Sequence, residues 1–184
     1  GGNDFTLTVA GNVTYTGTGA PENFQLRVVD NGGNPLVQLL EGVTISVAGG
    51  AITVAGGSVV DSRPLGAVDS YTIDAAGGDD QLVIDYAAND DLEDIDITFN
   101  GDADSDTLYV RGGTFGAVVY NYTNAHDGNI ENYSDDAGTT LQSTITYTGL
   151  EPITSTVTAT NVTLNYSGAS ETITVTDAGS GQTN

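Results

Sequence analysis

Residues 95–110, IDITFNGDADSDTLYV, carry the clearest fold signal in the sequence. Apolar and polar residues alternate at both ends of this stretch, which is the period of a β-strand with one buried face. Residues 101–106 lie between the two alternating segments, and their glycine and aspartates favour a turn. The stretch therefore predicts a strand, an acidic turn and a second strand in succession.

The same alternation recurs along the whole chain, whereas no segment shows the spacing of apolar residues that is typical of a helix. The fold class is therefore predicted to be all-β. The clearest strands are predicted at residues 5–9, 24–28, 43–47, 71–73, 82–86, 95–99, 108–110, 118–122, 145–147 and 173–175.

The spacing of the central strands leaves two architectures open. Their centres are separated by about a dozen residues, which fits either stacked parallel turns or an antiparallel sandwich. Turns built from glycine and aspartate clusters, in place of two-residue Asn-Gly hairpin turns, favour a parallel β-solenoid of β-helix or β-roll type. The antiparallel β-sandwich is the alternative. The strand centres are Ile73, Ile84, Ile97, Tyr109 and Tyr120.

A longer repeat is present as well. Residues 12–26 match residues 161–175 at an offset of 149 residues (from Asn12 to Asn161), with six identical residues. We therefore expect residues 1–184 to form a single solenoid segment of a longer repeat protein, with the next copy starting near residue 161. In such an array each unit buries its apolar face against the next.

Composition restricts the function. The chain has 184 residues and a net charge of −22, from 25 acidic and 3 basic residues, so binding to nucleic acid is excluded and cations are the natural partners. The absence of cysteine excludes disulfides, thiol catalysis and zinc–thiolate sites. No apolar run reaches the roughly 20 residues that span a bilayer, so we expect no membrane insertion. We expect the protein to be extracellular or at the cell surface.

The acidic turns predict a calcium site, since carboxylate and carbonyl oxygens are the ligands that calcium prefers. No other cofactor is expected. A solvated turn is the alternative, because aspartate favours turns without any metal. The five candidate ligands are Asp79, Asp80, Asp102, Asp104 and Asp106.

Residues 101–109 resemble one copy of the haemolysin-type (RTX) nonapeptide, Gly-Gly-x-Gly-x-Asp-x-(apolar)-x. Gly101 stands at the first position, Asp106 at the aspartate and Leu108 at the apolar residue. Asp102 and Asp104 occupy the second and fourth positions, where the family has glycine. The resemblance implies that stacked turns hold calcium through carbonyls and the aspartate, while the apolar residue fills the core of a parallel β-roll.

A wider resemblance concerns the phrases at residues 70–80 and 147–153, SYTIDAAGGDD and YTGLEPI. They are similar to phrases in giant bacterial surface repeat proteins of β-solenoid type. The resemblance implies a structural or adhesive repeat that self-associates into an array or filament.

Other functions remain as alternatives. His126 is the only histidine, no catalytic residue is predicted, and we expect the protein not to be an enzyme. A β-helix that binds or cleaves polysaccharide, with Arg111 as its basic group and a surface glycan as its partner, is one alternative. An ice-binding solenoid is another, because Thr-x-Thr segments such as residues 144–148 place hydroxyl groups on one strand face.

Overall fold

The computed structural model describes residues 11–87, 92 and 94–167, apart from the side chain of Pro152. In this part of the chain no helix is long and apolar enough to cross a membrane. The predicted strands at residues 5–9 and 173–175 lie outside the described residues. The strands are β1 (Gly11–Thr16), β2 (Asn23–Val29), β3 (Leu36–Ala48), β4 (Ala51–Pro64), β5 (Val68–Asp74), β6 (Gln81–Asp85), β7 (Asp96–Asn100), β8 (Asp106–Arg111), β9 (Thr114–Tyr122), β10 (Gly128–Tyr133), β11 (Leu141–Thr148), β12 (Leu150–Ser155) and β13 (Thr158–Tyr166), with a 3-10 turn at Leu65–Ala67.

These strands form two sheets. The first sheet has the order β1-β5-β7-β11-β10-β9-β13, and the second has the order β12-β8-β6-β2-β3-β4. Strands β1, β5, β7 and β11 pair in parallel in the first sheet, and β2, β6, β8 and β12 pair in parallel in the second. The chain crosses from the first sheet to the second in four stacked β-arches, which are β1–β2, β5–β6, β7–β8 and β11–β12.

Two antiparallel hairpins interrupt this parallel stack. The hairpin β3–β4 extends the second sheet beyond β2. Strands β9 and β10 extend the first sheet beyond β11, and β13 then pairs in parallel with β9. The first sheet therefore carries three extra strands and the second carries two, at opposite ends of the stack.

The core lies between the two sheets. Hydrophobic residues of neighbouring strands stack on one another because the parallel strands pair in register. In the first sheet, Val13 pairs with Tyr71 and Tyr71 pairs with Ile97. In the second sheet Leu26 pairs with Ile84. All five are buried members of one hydrophobic cluster, which follows from the alternation of apolar residues in the sequence.

The prediction of an all-β fold is confirmed. Both sheets are mixed, so neither an uninterrupted parallel solenoid nor a purely antiparallel sandwich describes the structure. The expectation that glycine clusters mark solenoid turns does not hold throughout, because Gly49-Gly50 forms the two-residue turn of the hairpin β3–β4, with φ values of 58° and 80°. Positive φ at both central residues is what a tight hairpin turn requires, and Gly-Gly supplies it as readily as Asn-Gly.

Candidate functional site

Three equivalent six-residue segments form the turns of the first three β-arches, at residues 17–22, 75–80 and 101–106, and the third includes Asp106, the first residue of β8. They lie one above another because the strands on both sides pair in parallel. In the fourth β-arch Gly149 alone joins β11 to β12. The stacked flanking residues are Thr16, Asp74 and Asn100 on the first sheet, and Asn23, Gln81 and Thr107 on the second.

The last residue of each stacked turn is acidic, which forms a column of Glu22, Asp80 and Asp106. The carboxylate of each aspartate bonds to the backbone of the turn next to it. Oδ1 of Asp106 accepts the N–H of Asp80 at 2.8 Å, and Oδ1 of Asp80 accepts the N–H of Glu22 at 2.7 Å. The carboxylate of Glu22 instead bonds within its own turn to the backbone N–H and hydroxyl of Thr18.

Asp80 and Asp106 are both fully buried, with 0% exposure. In each of them Oδ2 is buried and has no hydrogen-bond partner among the described residues. Leaving a buried carboxylate oxygen unpartnered costs free energy. Oδ2 of Asp106 lies so close to Gly101 that a Cβ at that position would be 2.5 Å from it. Glycine at the first position of this turn is therefore what makes room for the carboxylate.

Burial disfavours the charged form of both aspartates. Burial is the main cause that raises the pKa of Asp80 to about 6, the neighbouring carboxylates of Asp106 and Glu22 raise it further, and the hydrogen bond from the Glu22 backbone opposes them. Burial likewise raises the pKa of Asp106, against the hydrogen bond that it accepts from Asp80. The column is therefore a place where negative charge is held at a cost.

The other predicted ligands lie on the outside of the same turns. Oδ1 of Asp79 accepts the N–H of Ser105 at 3.0 Å, and Oδ2 of Asp104 accepts the N–H of Gly78 at 3.2 Å. These two aspartates therefore join adjacent turns. Asp102 is exposed, and its pKa is raised by the little burial that it has and by the Asp74 carboxylate beside it.

The backbone of these turns is left-handed at corresponding positions. Asp102 and Asp104 have φ values of 67° and 82°, and Ala76 has a φ value of 70°. In the RTX-like pattern Asp102 and Asp104 stand where the family has glycine, the residue that adopts positive φ without strain. Aspartate tolerates this region better than alanine does. The turn conformation is thus formed here without glycine at the second and fourth positions.

The column offers the oxygen ligands that calcium prefers, but it does not form a complete calcium-coordination shell from side chains. In the described part of the chain no group of three or more His, Cys, Asp or Glu side chains is arranged to hold a metal ion. What fits calcium is the pair of unpartnered, buried carboxylate oxygens on adjacent turns, since calcium takes oxygen ligands only and accepts backbone carbonyls to complete its shell. Asp80 and Asp106 would be the ligands from side chains.

Arg111, the candidate basic group of a polysaccharide site, lies elsewhere. It ends β8 at the opposite end from Asp106, and its guanidinium donates to Oδ2 of the buried Asp85 at 2.8 Å. Gln25 donates to the same oxygen at 2.6 Å. Arg111 therefore neutralises the buried carboxylate of Asp85, a residue that lies within the predicted strand at 82–86 and was not expected to have a partner.

His126 lies in the loop between β9 and β10, where its Nδ1 contacts the carboxylate of Glu151. Beside this loop is a pocket of about 300 Å³ between the two sheets. One buried hydroxyl at its wall, that of Tyr147, has no partner among the described residues. The lining residues are Tyr122, Ala125, Tyr147, Leu150, Glu151 and Ile153.

Threonines line the outer face of the first sheet. Thr-x-Thr segments supply two members of a column of four across β1, β5, β7 and β11, and the parallel register adds Thr72 and Thr98 from strands that have no such segment. Each pairs directly with the next. The column consists of Thr14, Thr72, Thr98 and Thr146.

No protein-family model matches this chain, and neither a curated protein nor a solved structure is measurably similar to it.

Proposed function

We propose that this chain is a structural repeat unit of an extracellular or cell-surface array, and that calcium at the stacked acidic turns stiffens it. In this proposal the four β-arches are the turns of a short solenoid of β-roll type, to which the two hairpins are added. The unit acts mechanically, through its shape and through its association with further units, and not as an enzyme.

The observation that carries the proposal is the pair of buried oxygens in the acidic column. Oδ2 of Asp80 and Oδ2 of Asp106 lie on adjacent turns, fully buried and without partners. Two ionised carboxylates in such surroundings repel each other and have lost their hydration. A divalent cation relieves both penalties at once, and a chain of net charge −22 gains from bound cations over its whole surface as well.

The roles of the chain's own residues follow from their contacts. Oδ1 of each aspartate stays bonded to the backbone of the adjacent turn, which fixes the carboxylate and leaves Oδ2 for the ion. Asp79 and Asp104 hold the same turns together from outside. Calcium, when bound, supplies positive charge and bonds to oxygen. Adjacent turns that are cross-linked by calcium in this way would resist separation when force is applied along the array.

The proposed location follows from the same chemistry. A site whose only strong ligands are two carboxylates and backbone carbonyls is expected to be weak, since affinity for calcium rises with the number of charged ligands. Such a site fills at the millimolar calcium of extracellular fluids and stays empty at the submicromolar levels of a cytoplasm. Stiffening would therefore be confined to the outside of the cell.

Isothermal titration calorimetry of the full chain with calcium, and separately with magnesium, tests this proposal. We expect saturable binding of calcium that is lost in Asp106→Asn and kept in Asp136→Asn, because Asp136 is exposed and remote from the column. Equal heats for the two metals, or equal binding by the two variants, would show that calcium only screens the surface charge.

A second candidate function is ice binding, which the threonine column favours. Four threonines in register on parallel strands form a row with the strand spacing of about 4.8 Å, on the outer face of a sheet. Asp74 and Asp96 lie on strands of the same sheet, beside Thr72 and Thr98, and charged groups weaken contact with ice. Measurement of thermal hysteresis and ice recrystallisation decides: activity that Thr98→Tyr abolishes supports this function, and no activity in the unaltered chain excludes it.

A further inference from the structure

Strand β13 forms one edge of the first sheet, and its Val162 and Leu164 are poorly covered in the described structure. Val162 pairs with the buried Val118, and Leu164 pairs with Tyr120 of the core. Side chains of paired residues point to the same face of a sheet, so both lie on the face that points toward the core. Yet Val162 is 57% exposed and Leu164 is 45% exposed.

The same sequence is buried at the other edge of the sheet. Asn12, Val13 and Thr14 of β1 recur as Asn161, Val162 and Thr163 of β13. In β1 the valine is only 6% exposed, because β5 flanks the strand and β2 follows it into the second sheet. The apolar pattern of β13 is therefore that of a strand that packs against a second sheet, although no strand of the second sheet covers Val162 and Leu164 in the described part of the chain.

The direction of β13 agrees with this equivalence. It runs parallel to β9, and β9 is separated from β11 by one antiparallel strand, β10. It is therefore parallel to β11, and through β7 and β5 also to β1. A second copy that used β13 as its own β1 would have the same orientation as the first and would need no reversal.

The two sheets are also offset by matching amounts. Beyond the last β-arch, the first sheet continues for two strands, β10 and β9, before it reaches β13. Beyond the first β-arch, the second sheet continues for two strands, β3 and β4. If β13 is the β1 of a second copy, that copy's β3 and β4 fall opposite β9 and β10. Its β4 then reaches the free edge of β12, to which it is parallel.

The pocket beside β12 lies at this junction. Leu150 and Ile153 of β12 line it from the second sheet, and Tyr122 and Tyr147 line it from the first. On the opposite end of the molecule, β4 presents Val59 at 48% exposure, at a free edge. An open apolar seam and an exposed apolar edge strand thus lie where successive copies would meet.

We propose that the partner of this surface is a second copy of the same unit, joined head to tail, for which β13 serves as the first strand. In the joined array both sheets are continuous: β13 lies between β9 of one copy and β5 of the next, and β4 of the next copy pairs with β12. This inference rests on the proposed role as a repeat unit but not on calcium.

The full chain, extended directly after Asn184 with residues 36–184, tests the proposal. Residue 184 corresponds to residue 35 at the offset of 149, so the extension completes a second copy in register and leaves the original chain intact. A comparison chain joins two complete copies through a flexible linker of about 20 glycine and serine residues. Thermal unfolding and hydrogen exchange of the β12 amides are measured for both, and for the single chain, each in EDTA and in calcium.

We expect the extended chain to unfold in one cooperative transition with its β12 amides protected. Val162→Asp in its first copy should lower the melting temperature by roughly 5–10 °C and remove that protection. The same substitution in the single chain should change the melting temperature by less than about 2 °C, since surface substitutions are nearly neutral. Val13→Asp should destabilise the single chain and serves as the buried equivalent.

Independent unfolding of the two copies, or an equal response of the single and extended chains to Val162→Asp, would overturn the proposal and leave the exposed face to an unrelated partner. Failure of the extended chain to fold where the linked chain folds would overturn it too. Loss of the calcium effect with the cooperative transition intact would refute the calcium proposal alone.

Discussion

Replacing Asp80 by asparagine removes one of the two buried carboxylates and changes the shape of the turn little. The amide oxygen can still accept the N–H of Glu22, the bond that Oδ1 makes now. The amide nitrogen takes the place of Oδ2, which has no partner among the described residues. The substitution therefore isolates the free energy of holding a negative charge at this point of the column.

The magnitude follows from the pKa. Folding raises the pKa of Asp80 from 3.8 to about 6, which is about 3 kcal/mol against the ionised folded state. Since the folded state binds the proton more tightly, this free energy is lost from stability as pH rises from about 4 to about 6, and it stays lost above that range. A buried amide nitrogen without an acceptor costs about 1–3 kcal/mol. In EDTA at pH 7.5 the variant should thus gain between zero and about 2 kcal/mol.

The assay is urea unfolding in EDTA from pH 4 to pH 7.5, followed by circular dichroism. Asp136→Asn is the matched control, because it removes one negative charge from an exposed position and reports the general relief of charge repulsion. We expect the fall in stability between pH 4 and pH 6 to be smaller in Asp80→Asn than in the control. With calcium at pH 7.5, Asp80→Asn should instead be the less stable of the two variants, since it has lost a calcium ligand.

An unchanged pH dependence in Asp80→Asn, equal to that of Asp136→Asn, would refute the reasoning about the column. It would mean that the Asp80 carboxylate is solvated in solution and that its buried oxygen is not a binding site.

Three further substitutions test other parts of the structure by unfolding measurements. Gly101→Ala should destabilise the protein by roughly 1–3 kcal/mol, because its Cβ would collide with the Asp106 carboxylate. Gly66→Ala is the control, since a Cβ there meets nothing within 4 Å. Equal effects of the two substitutions would contradict the packing argument. Ala76→Gly should stabilise the protein by about 0.5–1 kcal/mol, since glycine adopts the φ value of 70° at this position without the strain that alanine has. A loss of stability would show that the turn is not left-handed there. Arg111→Met should lower the free energy of unfolding by about 3 kcal/mol at neutral pH, because it leaves the buried carboxylate of Asp85 without its cation. Arg63→Met breaks an exposed ion pair and should cost less than about 1 kcal/mol. Similar losses in both variants would contradict the burial of the Arg111–Asp85 pair.

The local structure could be predicted because the signal is local. Period-two alternation places the strands around Ile73, Ile84 and Ile97 in β5, β6 and β7, and aspartate and glycine mark the turns between them. The RTX-like stretch also implied that Leu108 fills the core, and Leu108 is indeed buried.

Pairing partners could not be predicted, since register and direction depend on residues far apart in the chain. The turn at residues 17–22 lacks the Gly-Asp cluster that marks the other two, so Glu22 was missed as the third member of the column. It aligns with Asp80 only because β2 and β6 pair in parallel. The ion pair between Asp85 and Arg111 depends in the same way on the pairing of β6 with β8.

The central claim, that calcium at the acidic column stabilises the unit, is tested most directly by thermal unfolding of the full chain in EDTA and in millimolar calcium, with magnesium as the control. At a calcium concentration about ten times the dissociation constant, one site stabilises by about 1.4 kcal/mol, so we expect a rise in melting temperature of roughly 3–6 °C that magnesium does not reproduce and Asp106→Asn abolishes. The same melting temperature in EDTA and in calcium would contradict the claim.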